Sequence, residues 1–118
     1  LFLSGLTSRR PDGTIAGVSV NSDGSLTLDV AEQTSAVLQS IEAIIKQATN
    51  NKGGLGNVID ATIFLTDLKN DYAGMNEVWN KTWTSAQMAP ARTCVGVSEL
   101  PSPKFAVEFK VTALVGDD

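Results

Sequence analysis

Val58-Ile59-Asp60-Ala61-Thr62-Ile63-Phe64-Leu65-Thr66 reads as a β-strand. Side chains along a strand point alternately to its two faces, so Ile59, Ala61, Ile63 and Leu65 form one apolar face, with Asp60 and Thr62 opposite. An apolar pattern of helical period lies on each side of it. Upstream, Val30, Thr34, Val37, Leu38, Ile41, Ile44, Ile45 and Ala48 recur at helical spacing, and Asp29 with Glu32 three residues later resembles a capping box. This predicts a helix over 29–48, stopped by Asn50-Asn51-Lys52-Gly53-Gly54. Downstream, Tyr72, Met75, Trp79, Thr82 and Trp83 predict a second helix near 71–84. Two amphipathic helices astride a strand fit an α+β two-layer sandwich, with both helices on one face of a mixed sheet.

Further along, Ala91-Arg92-Thr93-Cys94-Val95-Gly96-Val97 and Phe105-Ala106-Val107-Glu108-Phe109-Lys110-Val111 alternate as two more strands. The Leu100-Pro101-Ser102-Pro103 turn between them predicts a hairpin over 91–98 and 105–115. In that reading Arg92 and Cys94 face away from Thr93, Val95 and Val97, and Glu108 and Lys110 face away from Val107, Phe109 and Val111. Asp60, Thr62, Phe64, Arg92, Cys94, Glu108 and Lys110 then share the uncovered face. That mix is too polar for a core, while Phe64 is too apolar for open surface, so self-association across this face is expected. Leu1-Phe2-Leu3-Ser4-Gly5 and Ile15–Val20 read as short strands, separated by a Pro11-Asp12-Gly13 turn and closed at Asn21-Ser22-Asp23-Gly24. The expected order is β-β-α-β-α-β-β. The start at Leu1, inside a strand and without methionine, is read as the loss of an N-terminal piece.

At 118 residues the chain reads as one domain. A net charge of −4 argues against nucleic acid as the main partner, since phosphate binding needs basic surface. No apolar run reaches the length of a membrane span, and no signal-peptide pattern is visible, so a cytoplasmic setting or an organellar interior such as the mitochondrial matrix is the expectation. With no histidine and one cysteine, the usual zinc sets and the Ser-His-Asp and Cys-His arrangements are excluded. Gly53-Gly54-Leu55-Gly56 has neither the spacing nor the lysine of a phosphate-binding loop. Catalysis is left to carboxylate, arginine, hydroxyl, thiol, backbone amides and water.

Several blocks in order resemble the RidA/YjgF family of imine and enamine deaminases. They are Leu1–Gly5, Glu32-Gln33-Thr34, Val58–Asp67, Tyr72-Ala73-Gly74-Met75-Asn76-Glu77-Val78-Trp79, Pro90–Val95, Leu100-Pro101 and Val107–Lys110. Leu6–Val18 is similar to the 2-aminomuconate deaminase branch. The resemblance implies a chorismate-mutase-like fold and a homotrimer with an active site at each subunit interface. It implies that Arg92 clamps a substrate carboxylate, that Glu108 places or activates a water, and that Ser4, Asn76 and Cys94 line the pocket. It also implies release of ammonia from a small carboxylate-bearing imine or enamine, with no cofactor and no metal. The chain departs from the family pattern in several places. The family's first strand, with its tyrosine, is absent, and Leu6 stands in place of glutamine. Trp79, Thr82 and Trp83 replace a tyrosine and a Phe-Phe pair.

Each of these residues also has a plainer reading. Arg92 would form an intersubunit or surface ion pair with Glu108, or Glu108 would pair with Lys110. Cys94 would be a small buried hydrophobe. Tyr72, Trp79 and Trp83 would be helix–sheet packing rather than a ligand box, and Arg9-Arg10 would either grip an acidic substrate or solvate a loop. The Asn80-Lys81-Thr82 sequon reads as accidental in a helix. The competing function is a catalytically idle trimer that binds small carboxylates, or an interaction protein with exposed apolar surface.

Overall fold

The Asp29 side chain accepts the Glu32 backbone N–H at 3.0 Å and caps α1, which runs over Val30–Ala48. The computed structural model describes residues 1–116. Before α1 lies a hairpin of β1 (Val18–Val20) and β2 (Leu26–Leu28), turned at Asn21-Ser22-Asp23-Gly24, where Gly24 adopts a φ of +86°. The sequence reading anticipated the turn but not β2. After α1 come a 3-10 turn (Leu55–Asn57), β3 (Val58–Leu65), α2 (Leu68–Thr82), β4 (Ala91–Gly96) and β5 (Val107–Ala113). α2 starts earlier than expected because Asp67 caps it, accepting the Asn70 backbone N–H at 3.4 Å, and its polar first turn carries no apolar period.

Both helices pack on one face of the sheet, as the α+β sandwich reading required. Val37, Leu38, Ile41 and Ile45 of α1 meet Met75 and Trp79 of α2 over Ala61, Ile63, Leu65, Val107, Phe109 and Val111. Ile59 is not part of this face. A register shift between Val58 and Asp60 turns it outward, 48% exposed, and buries Val58 in its place.

The expected C-terminal hairpin does not form. The sheet order is β4-β3-β5, with β4 parallel to β3 and β5 antiparallel to it. Residues 97–106 cross the end of β3, where the Val97 N–H donates to Leu65 O at 2.9 Å and the Thr66 N–H to Ala106 O at 3.2 Å. That connection is longer than the few residues that close a tight hairpin, and β3, apolar along its whole inner face, gains most by lying in the middle. Residues 1–6 run along the outer edge of β5, with Leu3 N–H donating to Val111 O at 3.1 Å and Leu6 N–H to Phe109 O at 2.8 Å. Among the described residues, no helix is long and apolar enough to cross a membrane.

Candidate functional site

Pairing partners in a sheet share a face, so register decides where each candidate side chain points. Arg92 pairs with Ala61 and Cys94 with Ile63, both core-facing residues, which puts Arg92 and Cys94 on the helix-covered side. Glu108 pairs with Phe64 and Lys110 with Thr62, on the open side. The expectation that Arg92, Cys94 and Glu108 share the uncovered face is therefore corrected. β4 is an edge strand with small or polar residues on both sides, so its alternation did not reveal which side packs inward.

On the helix side Arg92 is half-buried and held by α2. Its Nη1 donates to Asn76 Oδ1 at 2.7 Å and its Nη2 to the Tyr72 hydroxyl at 2.9 Å. The guanidinium carbon lies 4.9 Å from the Trp79 ring centroid and 5.7 Å from that of Tyr72. Residues 72, 76 and 79 follow the spacing of a single helix face, which was the available sequence signal for this cradle. Trp79 also packs 4.3 Å from Trp83 and 6.4 Å from Phe109, centroid to centroid, so its packing reading holds as well. Among the described residues no acidic side chain pairs with Arg92. Among those residues its hydrogen-bond partners are neutral, and these two bonds use two of the five N–H donors of a guanidinium. Cys94 is half-buried, and burial pushes its thiol pKa up while the Arg92 charge partly opposes the shift. Its thiolate is therefore disfavoured.

On the open side the half-buried Glu108 lies against Gly5, where an added Cβ would come within 2.8 Å of its Oε2. Ser4 is exposed on the same edge segment, and Lys110 Nζ donates to Leu3 O at 3.4 Å rather than pairing with Glu108. The chain thus brings together Arg92, Asn76 and Cys94 on one face, and Ser4, Gly5 and Glu108 at the other edge. An open hollow of about 410 Å³ adjoins Arg92 between the end of α2 and the start of β4, with Trp79 and Trp83 on its wall. Hollows of about 480 and 500 Å³ flank α1, but neither contains a candidate residue. The second lies beside Arg9 and Arg10. Arg9 stacks 5.7 Å over Phe105 and Arg10 Nη1 donates to Thr14 Oγ1 at 3.3 Å, as structural loop contacts would. Among the described residues no group of three or more His, Cys, Asp and Glu side chains is placed to hold a metal.

Two helices on one face of a β4-β3-β5 sheet, with the Arg92 guanidinium held by Asn76 and Tyr72 at its edge, define a chorismate-mutase-like α+β domain. The chain belongs to the RidA/YjgF family, whose model, described as Endoribonuclease L-PSP, matches residues 8–115. It is 42% identical over 91 residues to the RutC family protein YoaB of Escherichia coli K12, covering 77% of this chain and 75% of that one. It is 37% identical over 79 residues to the putative reactive intermediate deaminase TdcF of the same organism, covering 66% of this chain and 58% of TdcF. The crystal structure of E. coli TdcF with bound serine superposes with a TM-score of 0.72 at 31% identity, covering 98% of this chain and 80% of that one. A YjgF family member from Neisseria meningitidis gives a TM-score of 0.73 at 33% identity, covering 99% and 80%.

Proposed function

We propose that this protein is a hydrolytic deaminase of small carboxylate-bearing imines and enamines, acting as a homotrimer with an active site at each subunit interface. One observation carries the reading: Arg92 is a half-buried cation held in place by neutral side chains, with donors left for a ligand. A guanidinium matches a planar carboxylate with two parallel hydrogen bonds. The deaminase name of TdcF and the serine in its structure, a molecule that carries a carboxylate, support the same class of ligand.

Arg92 and Glu108 look to opposite sides of one sheet, so a single ligand meets both only where the β4 edge of one protomer abuts the open face of the next. That open face carries Phe64, half-buried, and Val95, 36% exposed, consistent with self-association. In the assembled site Arg92 fixes the carboxylate, with Asn76 and Cys94 beside it. An enamine substrate first takes up a solvent proton at carbon and becomes the imine. Glu108 of the neighbouring protomer, with Ser4 near it, then positions a water and accepts its proton as oxygen attacks the C=N carbon. The amine nitrogen takes up a proton, and as the adduct's hydroxyl gives up its proton to form the C=O bond the C–N bond breaks. The products are a carbonyl compound and ammonia. 2-Aminomuconate is the proposed substrate, on the resemblance of Leu6–Val18, with 2-aminoacrylate and 2-iminobutanoate as the smaller alternatives.

The test is ammonia release from freshly generated 2-aminomuconate and 2-aminoacrylate, with wild-type protein and Arg92→Ala. Wild-type turnover that the substitution lowers by about a hundredfold or more supports the reading, and the preferred substrate decides the branch. No turnover on either substrate overturns it in favour of a carboxylate-binding protein.

A further inference from the structure

We propose that Tyr72 is a positioning residue for the Arg92 carboxylate clamp, acting through its hydroxyl; the inference rests on the ligand class read above. A guanidinium on a flexible stem can turn about its final bonds, and a clamp is effective only when that freedom is removed before the ligand arrives. Here each Nη has its own anchor. Asn76 Oδ1 takes Nη1 at 2.7 Å, and the Tyr72 hydroxyl, one helical turn earlier, takes Nη2 at 2.9 Å. The Trp79 ring centroid lies 4.9 Å from the guanidinium carbon and adds a third contact.

These anchors are neutral acceptors. A carboxylate in place of the hydroxyl would also hold Nη2, but it would neutralise the charge that must attract the ligand. A phenylalanine at 72 would keep the ring beside Arg92, at the 5.7 Å recorded for tyrosine, yet leave Nη2 without an acceptor. The phenolic oxygen is thus the one atom of Tyr72 whose removal separates positioning from packing.

The experiment is Tyr72→Phe in the full-length protein, read three ways. KM for 2-aminoacrylate is expected to rise about tenfold with kcat nearly unchanged, the loss expected for one hydrogen bond to a charged group. The dissociation constant for pyruvate, measured by calorimetry without turnover, should rise by a similar factor while the melting temperature stays within a degree or two of wild type. Guanidinium nitrogen NMR of the free protein should show Arg92 Nη2 losing its restrained signal. Unchanged KM, pyruvate affinity and Arg92 signal would make Tyr72 a packing residue and overturn the inference. A wild type that binds pyruvate without turnover, with weaker binding in Tyr72→Phe, would sink the deaminase reading and leave the clamp standing. A wild type that neither binds nor turns over overturns both.

Discussion

Arg92 and Glu108 flank the same central strand but face opposite sides of the sheet, because Arg92 is in register with core-facing Ala61 and Glu108 with outward Phe64. An intramolecular ion pair between them is therefore excluded, and the first prediction follows from the same geometry. Arg92→Ala and Glu108→Gln should each be inactive alone. Mixed under conditions that exchange subunits, they should recover about one quarter of wild-type activity, since that share of interfaces joins an intact arginine to an intact glutamate. Subunit exchange shown by mass spectrometry without recovered turnover would refute a shared site.

Gly5 touches the Glu108 carboxyl group so closely that a Cβ would stand 2.8 Å from Oε2. Since that atom is the far end of a flexible side chain, Gly5→Ala should displace Glu108 at small cost to stability. We expect kcat to fall about tenfold or more, because a displacement of an ångström is enough to misplace a catalytic group. Steady-state kinetics together with a melting curve check this: a lowered melting temperature with normal kcat would contradict it.

Gln33 is fully buried and joins three separate chain segments. Its Nε2 donates to Lys104 O at 2.8 Å and Gly17 O at 3.3 Å, and its Oε1 accepts the Ala106 N–H at 2.8 Å. Gln33→Leu leaves these backbone groups without partners and should cost about 2–4 kcal/mol in denaturant unfolding. Gly17→Ala should destabilise comparably, since residue 17 has a φ of +69° and a Cβ there would sit 2.7 Å from Asp29 O.

Burial, reinforced by the nearby Asp67 carboxylate, raises the Asp71 pKa above its ordinary value. The folded state then holds this proton more tightly than the unfolded chain does. Asp71 thus favours folding below the unfolded pKa, and that contribution is lost as pH rises through the folded one. Asp71→Asn should accordingly melt higher than wild type at pH 7 and match it at acid pH. Equal melting temperatures across the range would refute the assignment.

The Cys94 thiol, raised in pKa by burial, should alkylate more slowly at neutral pH than a free thiol of ordinary pKa. Cys94→Ser should retain turnover within about twofold, since the pocket role assigned to this residue needs no thiolate. Loss of activity in a well-folded Cys94→Ser would point to covalent chemistry instead.

Much of the fold was legible because its signals are local. The Asp29 cap and the apolar period of residues 30–48 define α1 within its own segment, and the alternation of residues 61–65 marks the inner face of β3. The apolar period of Tyr72, Met75 and Trp79 marked α2, but Asn76 entered only through the family resemblance, and its place beside Tyr72 and Arg92 came from the structure. Two short features escaped. β2 has three residues, and Ile59 leaves the core through a bulge that the two-residue period does not encode.

The sequence by itself determined the two helices, the central strand, the family resemblance and the residue types available for chemistry, since each rests on periodicity, capping or motif order within contiguous residues. Only the tertiary structure decided that β4 and β5 lie on either side of β3, and hence that Arg92 and Glu108 face apart. The physical reason is that alternation tells which side chains of one strand share a face. It does not tell which strand will be the neighbour, nor which face of a mixed edge strand will pack inward. Those choices come from burying the most apolar strand at the centre of the sheet, a property of the whole core.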